Sequence, residues 1–146
     1  MKKTFLKLSF AFFVLLLVSS CKKNSSSASK TELLTQKAWI QSNQETGSGG
    51  NWQIDPLFTS TEACDKDDQL VFKIDKTYEQ NEGVSKCDET ADQVIEQGAW
   101  NFGDNETKLS FSDGTVDIIQ LDESTLQFTV PSPLNANQYY RATFRH

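Results

Sequence analysis

Between Lys37 and Phe144 the apolar residues recur at every second position, not at every third or fourth, and that period confines the chain to short strands buried on one face. Residues 69–75 place Leu70, Phe72 and Ile74 on one side and Val71, Lys73 and Asp75 on the other. The same alternation predicts strands at 37–44, 77–80, 94–102, 108–112, 115–121, 126–130 and 138–144. Turn chemistry separates them. Asp75-Lys76 and Asp113-Gly114 sit at hairpin tips, residues 103–106 and 122–124 make polar turns, and Pro131-Ser132-Pro133 stops the seventh strand. Ahead of the strands, residues 30–36 have room for one or two helical turns, too few to persist without packing. The reading is all-β: eight antiparallel strands in sequential order behind a short N-terminal helix. Such an array buries its edges by closing into an up-and-down barrel; a sandwich satisfies the same periodicity.

The inward positions are aromatic: Trp39, Phe72, Tyr78, Trp100, Phe102, Phe111, Phe128, Tyr140 and Phe144. An eight-stranded barrel is just wide enough to be filled by side chains or to hold one small ligand, so these rings either fill the interior or line a cup. One connection, residues 43–68, is too long for a hairpin and carries Trp52, Ile54, Leu57 and Phe58. These side chains plug the end of the barrel or form a lip that touches a ligand or partner. Candidate contacts for a small apolar ligand are therefore Trp52, Phe58, Phe72, Tyr78, Trp100, Phe102, Phe111, Phe128 and Tyr140. A cavity of several hundred Å³ is what a carrier requires, and a packed interior points to the rim instead.

The first 20 residues form a separate unit. Lys2, Lys3 and Lys7 precede an apolar run from Phe10 to Val18, shorter than the ~20 residues of a spanning helix, which fits a secretory signal. The run ends in Val18-Ser19-Ser20-Cys21, which resembles the lipobox of bacterial lipoproteins. That resemblance implies cleavage before Cys21 and a diacylglycerol on its sulfur, which anchors the chain to a membrane. Residues 21–30, rich in serine, follow as a flexible tether, leaving residues 31–146 as one domain. The implied location is the cell envelope, with the outer membrane favoured. No acidic residue directly follows Cys21, which favours a periplasm-facing position over the cell surface.

Removing residues 1–20 leaves 11 basic residues against 20 acidic, a balance that argues against nucleic acid as a partner. With Cys21 lipidated, Cys64 and Cys87 remain to pair in an oxidising compartment. They lie at equal distances from the Asp75-Lys76 turn, so the hairpin brings them to the same end of the sheet.

Little else in the chain supports chemistry. The only histidine is His146, at the terminus where fraying is expected, and no nucleophile–base set assembles around it, so an enzyme is not expected. Asp65, Asp67 and Asp68 lack the alternation and central glycine of a calcium loop and read as a solvated turn; no metal or other cofactor is expected. Gly47-Ser48-Gly49-Gly50 lacks the lysine and helix of a phosphate loop and reads as a loop tip.

Several residues resemble those of lipocalin-like domains: Leu34 and Trp39 after a short helix, residues 64–68 ahead of the second strand, Gly98-Ala99-Trp100, and the closing Tyr140-Arg141 strand. Lys37 stands where that family usually has glycine. The resemblance implies an eight-stranded lipocalin-like barrel whose open end holds a small apolar molecule. It also implies an arginine near the C-terminus stacked on the first-strand tryptophan, here Arg141 or Arg145 on Trp39, with Arg141 the closer match. The functional expectation is a lipid-anchored carrier. The alternative is an anchored interaction or inhibitor module acting through residues 43–68 on an envelope protein.

Overall fold

The computed structural model describes residues 27–111, 114–133 and 135–146. The signal sequence, Cys21, most of the tether and Asp113 of the predicted hairpin lie outside the described residues. The elements are α1 (Lys30–Thr35), β1 (Trp39–Ser48), β2 (Asn51–Ile54), α2 (Pro56–Thr59), β3 (Gln69–Phe72), β4 (Thr77–Asn81), β5 (Val94–Ala99), β6 (Asn101–Gly103), β7 (Lys108–Phe111), β8 (Gly114–Leu121), β9 (Thr125–Pro131) and β10 (Tyr139–Arg145).

The all-β, antiparallel expectation holds, but the described residues form ten strands where eight are expected. One extra strand comes from residues 43–68, which are not a structureless loop. β1 continues to Ser48 and turns at Gly49-Gly50, both with positive φ, into β2. Asp55 then caps α2, its carboxylate accepting the Leu57 N–H at 2.9 Å. The other arises because the predicted 94–102 strand divides at Trp100. The hydrogen-bonded order is β5-β4-β3-β1-β10-β9-β8-β7-β6, with β2 added on β1. No strand pair joins β5 to β6, so the sheet is not a closed hydrogen-bonded ring; its two end strands are consecutive stretches of chain either side of Trp100.

Trp100 is therefore a joint. Its backbone N–H donates to the Lys76 carbonyl at 2.8 Å and its indole Nε1–H to the Lys73 carbonyl at 3.1 Å, while the Lys76 ammonium lies 3.8 Å above the ring. These contacts satisfy the groups of the β3–β4 turn, where Lys76 takes a φ of 71°. The turn falls at the expected Asp75-Lys76, but β3 stops at Phe72. Ile74 belongs to the turn and is 71% exposed, not inward, because the chain has already left the sheet.

Ahead of β1, α1 begins in a capping box: the Ser29 hydroxyl accepts the Glu32 N–H and the Glu32 carboxylate accepts the Ser29 N–H. α1 thus has its N-cap at Ser29 and begins at Lys30. Leu34 is buried, and its carbonyl, left over at the helix end, accepts the Trp39 indole N–H at 2.9 Å. Trp39, Leu34, Phe72, Trp100, Leu109 and Leu126 are the most completely buried side chains. Burying groups of this size contributes about 1.5–3 kcal/mol for each aliphatic residue, so the core concentrates at this end of the sheet.

Candidate functional site

Beyond that packed layer the sheet borders a half-open cavity of about 500 Å³. Its apolar part is built by alternation on β3 and β7 to β10: Leu70, Phe111, Val116, Phe128, Val130 and Phe144. Phe111 meets Tyr78 edge-on with ring centroids 5.2 Å apart, and Phe128 stacks on Phe144 at 5.3 Å, so the rings brace one another at the cavity wall.

The opposite part of the lining is polar, and it follows from the same alternation. Gln80 pairs with Leu70 on one side and Glu96 on the other, so all three side chains stand at one level of the sheet. Asp68, two residues before Leu70, carries the inward face beyond the strand, and Asp65 and Gln41 complete this end. The Tyr78 hydroxyl donates to the Glu96 carboxylate. Asp68 Oδ1 is buried with no hydrogen-bond partner among the described residues. Burial pushes the Asp68 carboxyl above the usual carboxylate range; the nearby charges of Glu82, Asp65 and Asp67 add to the rise, and a hydrogen bond from Gln80 opposes it.

Covalent and polar clips hold the segment carrying these acids. Cys64 and Cys87 form the expected disulfide, with Cα atoms 5.2 Å apart. Asp67 is not a freely solvated turn residue: its carboxylate accepts the Val84 and Ser85 N–H groups, each at 2.8 Å, and the Ser85 hydroxyl at 2.7 Å. The Ser85 hydrogen bonds hold its carboxyl below the usual range. The approach requires glycine at 83, where φ is 63° and a Cβ would stand 2.0 Å from the Asp67 carbonyl oxygen. Glu62, Cys64 and Cys87 lie close enough to share a metal ion, but both sulfurs are committed to the disulfide.

Of the residues expected to touch a ligand, the structure places Tyr78, Phe111 and Phe128 on the cavity. Phe72 packs beneath them against Tyr78, Trp100 and Phe111, while Trp100 and Phe102 meet edge-on in the core. Tyr140 is half-buried beside Val130 in the ladder, away from the lining. Trp52 and Phe58 do not reach the cavity. Phe58 borders two other depressions with Lys66, and the Arg141 guanidinium covers Trp52 at 4.3 Å from its ring.

The expected Trp39–Arg141 pair is not formed. Arg141 faces Glu45 across the β1–β10 ladder, six residues along β1 from Trp39, and makes a 2.7 Å ion pair with it. Arg145 bonds to Thr125, and the stacking position on Trp39 is taken by His146, whose ring centroid lies 3.9 Å away. His146 also makes a 2.8 Å hydrogen bond between Nδ1 and the Ala38 carbonyl.

The lining residues outside the expected ligand contacts are both polar, as Gln41, Asp65, Asp68, Gln80 and Glu96, and apolar, as Leu70, Val116, Val130 and Phe144. The signal for the polar ones was available, since Asp68 and Gln80 continue the face of Leu70 and Tyr78 at two-residue steps. The sequence matches no protein-family model, and no curated protein matches it.

Proposed function

We propose that this protein is a non-enzymatic carrier that holds a small, largely apolar molecule inside a lipocalin-like barrel, anchored to a membrane of the cell envelope through a lipidated Cys21. In this reading the barrel closes through the continuous chain at Trp100, with β5 on β4 and β6 on β7, so that no ladder joins the two ends. The observation that carries the proposal is the cavity of about 500 Å³ walled by Phe111, Phe128, Phe144, Val116 and Val130. Protein pockets for small ligands have this size and an apolar wall of this kind. The packed layer of Trp39, Trp100, Leu109 and Leu126 closes one end, which leaves the polar end for access.

The test uses residues 27–146, within which every described helix, strand and disulfide lies. Native mass spectrometry should show a one-to-one complex with at least one of dodecanol, dodecylamine and dodecanoate, each below its micelle concentration. Free protein alone in all three mixtures overturns the carrier reading.

A second reading, an anchored interaction or inhibitor module, is favoured by one observation. Ile54 and Leu57, on β2 and α2, are 59% and 73% exposed beside the half-buried Phe58. Cross-linking in envelope extracts should then capture a protein that Ile54→Asp with Leu57→Asp releases. Capture unaffected by these changes removes the surface from consideration.

A further inference from the structure

From the charges of the cavity lining we infer that the ligand is an amphiphilic cation: an apolar tail carrying a protonated amine or quaternary ammonium head. The inference rests on the carrier reading and specifies the ligand class of the same site. The tail would lie against Phe111, Phe128 and Phe144, and the head would sit among Asp65, Asp68 and Glu96.

Three observations combine. Among the described lining residues the polar part holds three carboxylates and no lysine, arginine or histidine. Lys66, the basic residue next in sequence to Asp65, borders two neighbouring depressions that share Gln41, and in one case Asp65, with the cavity. Gln80 acts on the Asp68 carboxylate, but Asp68 Oδ1 is buried and lacks a partner among the described residues, so a donor entering from the cavity would satisfy that oxygen. Glu96, which accepts the Tyr78 hydroxyl, retains lone pairs for a second donor.

The energetic preference follows from sign. A cation within about 4–6 Å of a carboxylate favours its charged form and is favoured by it, whereas a fatty-acid head brings a fourth negative charge to a cavity mouth where Asp68 is half-buried and Asp65 and Glu96 are exposed. A neutral alcohol keeps the tail contacts and gains only hydrogen bonds. Three acids facing one cavity therefore select for charge as well as for apolar area, by repulsion of anions as much as by attraction of cations.

The experiment compares dodecylamine, dodecyltrimethylammonium, dodecanol and dodecanoate at pH 7.5 by isothermal titration calorimetry on residues 27–146. The tails are of equal length, so differences report the head group. Both cations should bind at least tenfold more tightly than dodecanoate, with dodecanol between them. If the trimethylammonium compound binds as well as the amine, charge decides; if only the amine binds, hydrogen bonds to Asp68 and Glu96 decide, and both results support a cationic ligand. The doubly substituted Asp68→Asn, Glu96→Gln protein should lose at least tenfold in affinity for the cations and none for dodecanol. Equal or tighter binding of dodecanoate by the unsubstituted protein overturns the inference and leaves the carrier reading standing, and it needs no variant to fold. Absence of binding by all four overturns both.

Discussion

Replacing Cys64 and Cys87 together by serine should lower stability by about 3.4 kcal/mol. The bridge closes a loop of sequence separation 23. In the chain-entropy treatment, cross-linking removes about 2.1 cal/mol/K plus 1.5R times the logarithm of the loop length from the unfolded ensemble, which for this loop at 25 °C is about 3.4 kcal/mol. The folded state supplies no obvious compensation: β3 and β4 remain paired through Asp75-Lys76, and the Asp67 clip to Val84 and Ser85 is independent of the sulfurs. With an unfolding entropy of about 2.1 cal/mol/K for each residue of 27–146, the loss corresponds to a drop in Tm of about 13 °C. Urea denaturation of both proteins at pH 7, followed by circular dichroism, measures it. A difference below about 1 kcal/mol, with unchanged m-value, would refute the reasoning and mean that residues 64 and 87 are already close in the unfolded chain.

Other substitutions test individual contacts. Trp39→Phe removes the indole N–H from the Leu34 carbonyl and should cost about 1–3 kcal/mol in urea denaturation, so a loss under about 0.5 kcal/mol contradicts the role given to that bond. Arg141→Met breaks a half-buried ion pair and uncovers Trp52, the least buried of the three tryptophans; it should cost about 1–3 kcal/mol and shift tryptophan emission to longer wavelength, and an unshifted spectrum argues against the stacking. For Asp68 the sign runs against the usual carboxylate. Its folded pKa is raised, so the folded state favours the protonated form, a contribution present below the unfolded value near 3.8 and lost as pH rises through the folded pKa. Asp68→Asn should therefore raise the urea midpoint at pH 7 without ligand and lose that advantage by pH 3.5; a lower midpoint at pH 7 would count against a strained acid.

Strand positions and phase were legible because one face of each strand is apolar: Leu70-Phe72, Leu109-Phe111 and Leu126-Phe128-Val130 define inward positions unaided. The disulfide followed from hairpin symmetry. Residues 43–68 misled because β2 lies alongside β1 with Trp52 covered by Arg141, a tertiary contact that leaves no periodic trace in four residues. The Trp39 partner was misassigned for a related reason: the register of β10 on β1, which shifts between Gln41 and Asn43, decides that His146 and not Arg141 reaches the ring. The polar end of the cavity was overlooked because inward was equated with apolar. Asp68, Gln80 and Glu96 show that alternation gives direction, whereas chemistry at each inward position depends on how far the cavity extends beyond the packed core.

The most direct test of the central claim is a set of intermolecular nuclear Overhauser effects between dodecylamine and isotope-labelled residues 27–146. The account predicts effects from the tail methylenes to the rings of Phe111, Phe128 and Phe144 and to the Val130 methyls, the residues that wall the cavity. Effects confined to Ile54, Leu57 and Phe58 would place the ligand on the outer surface and contradict it.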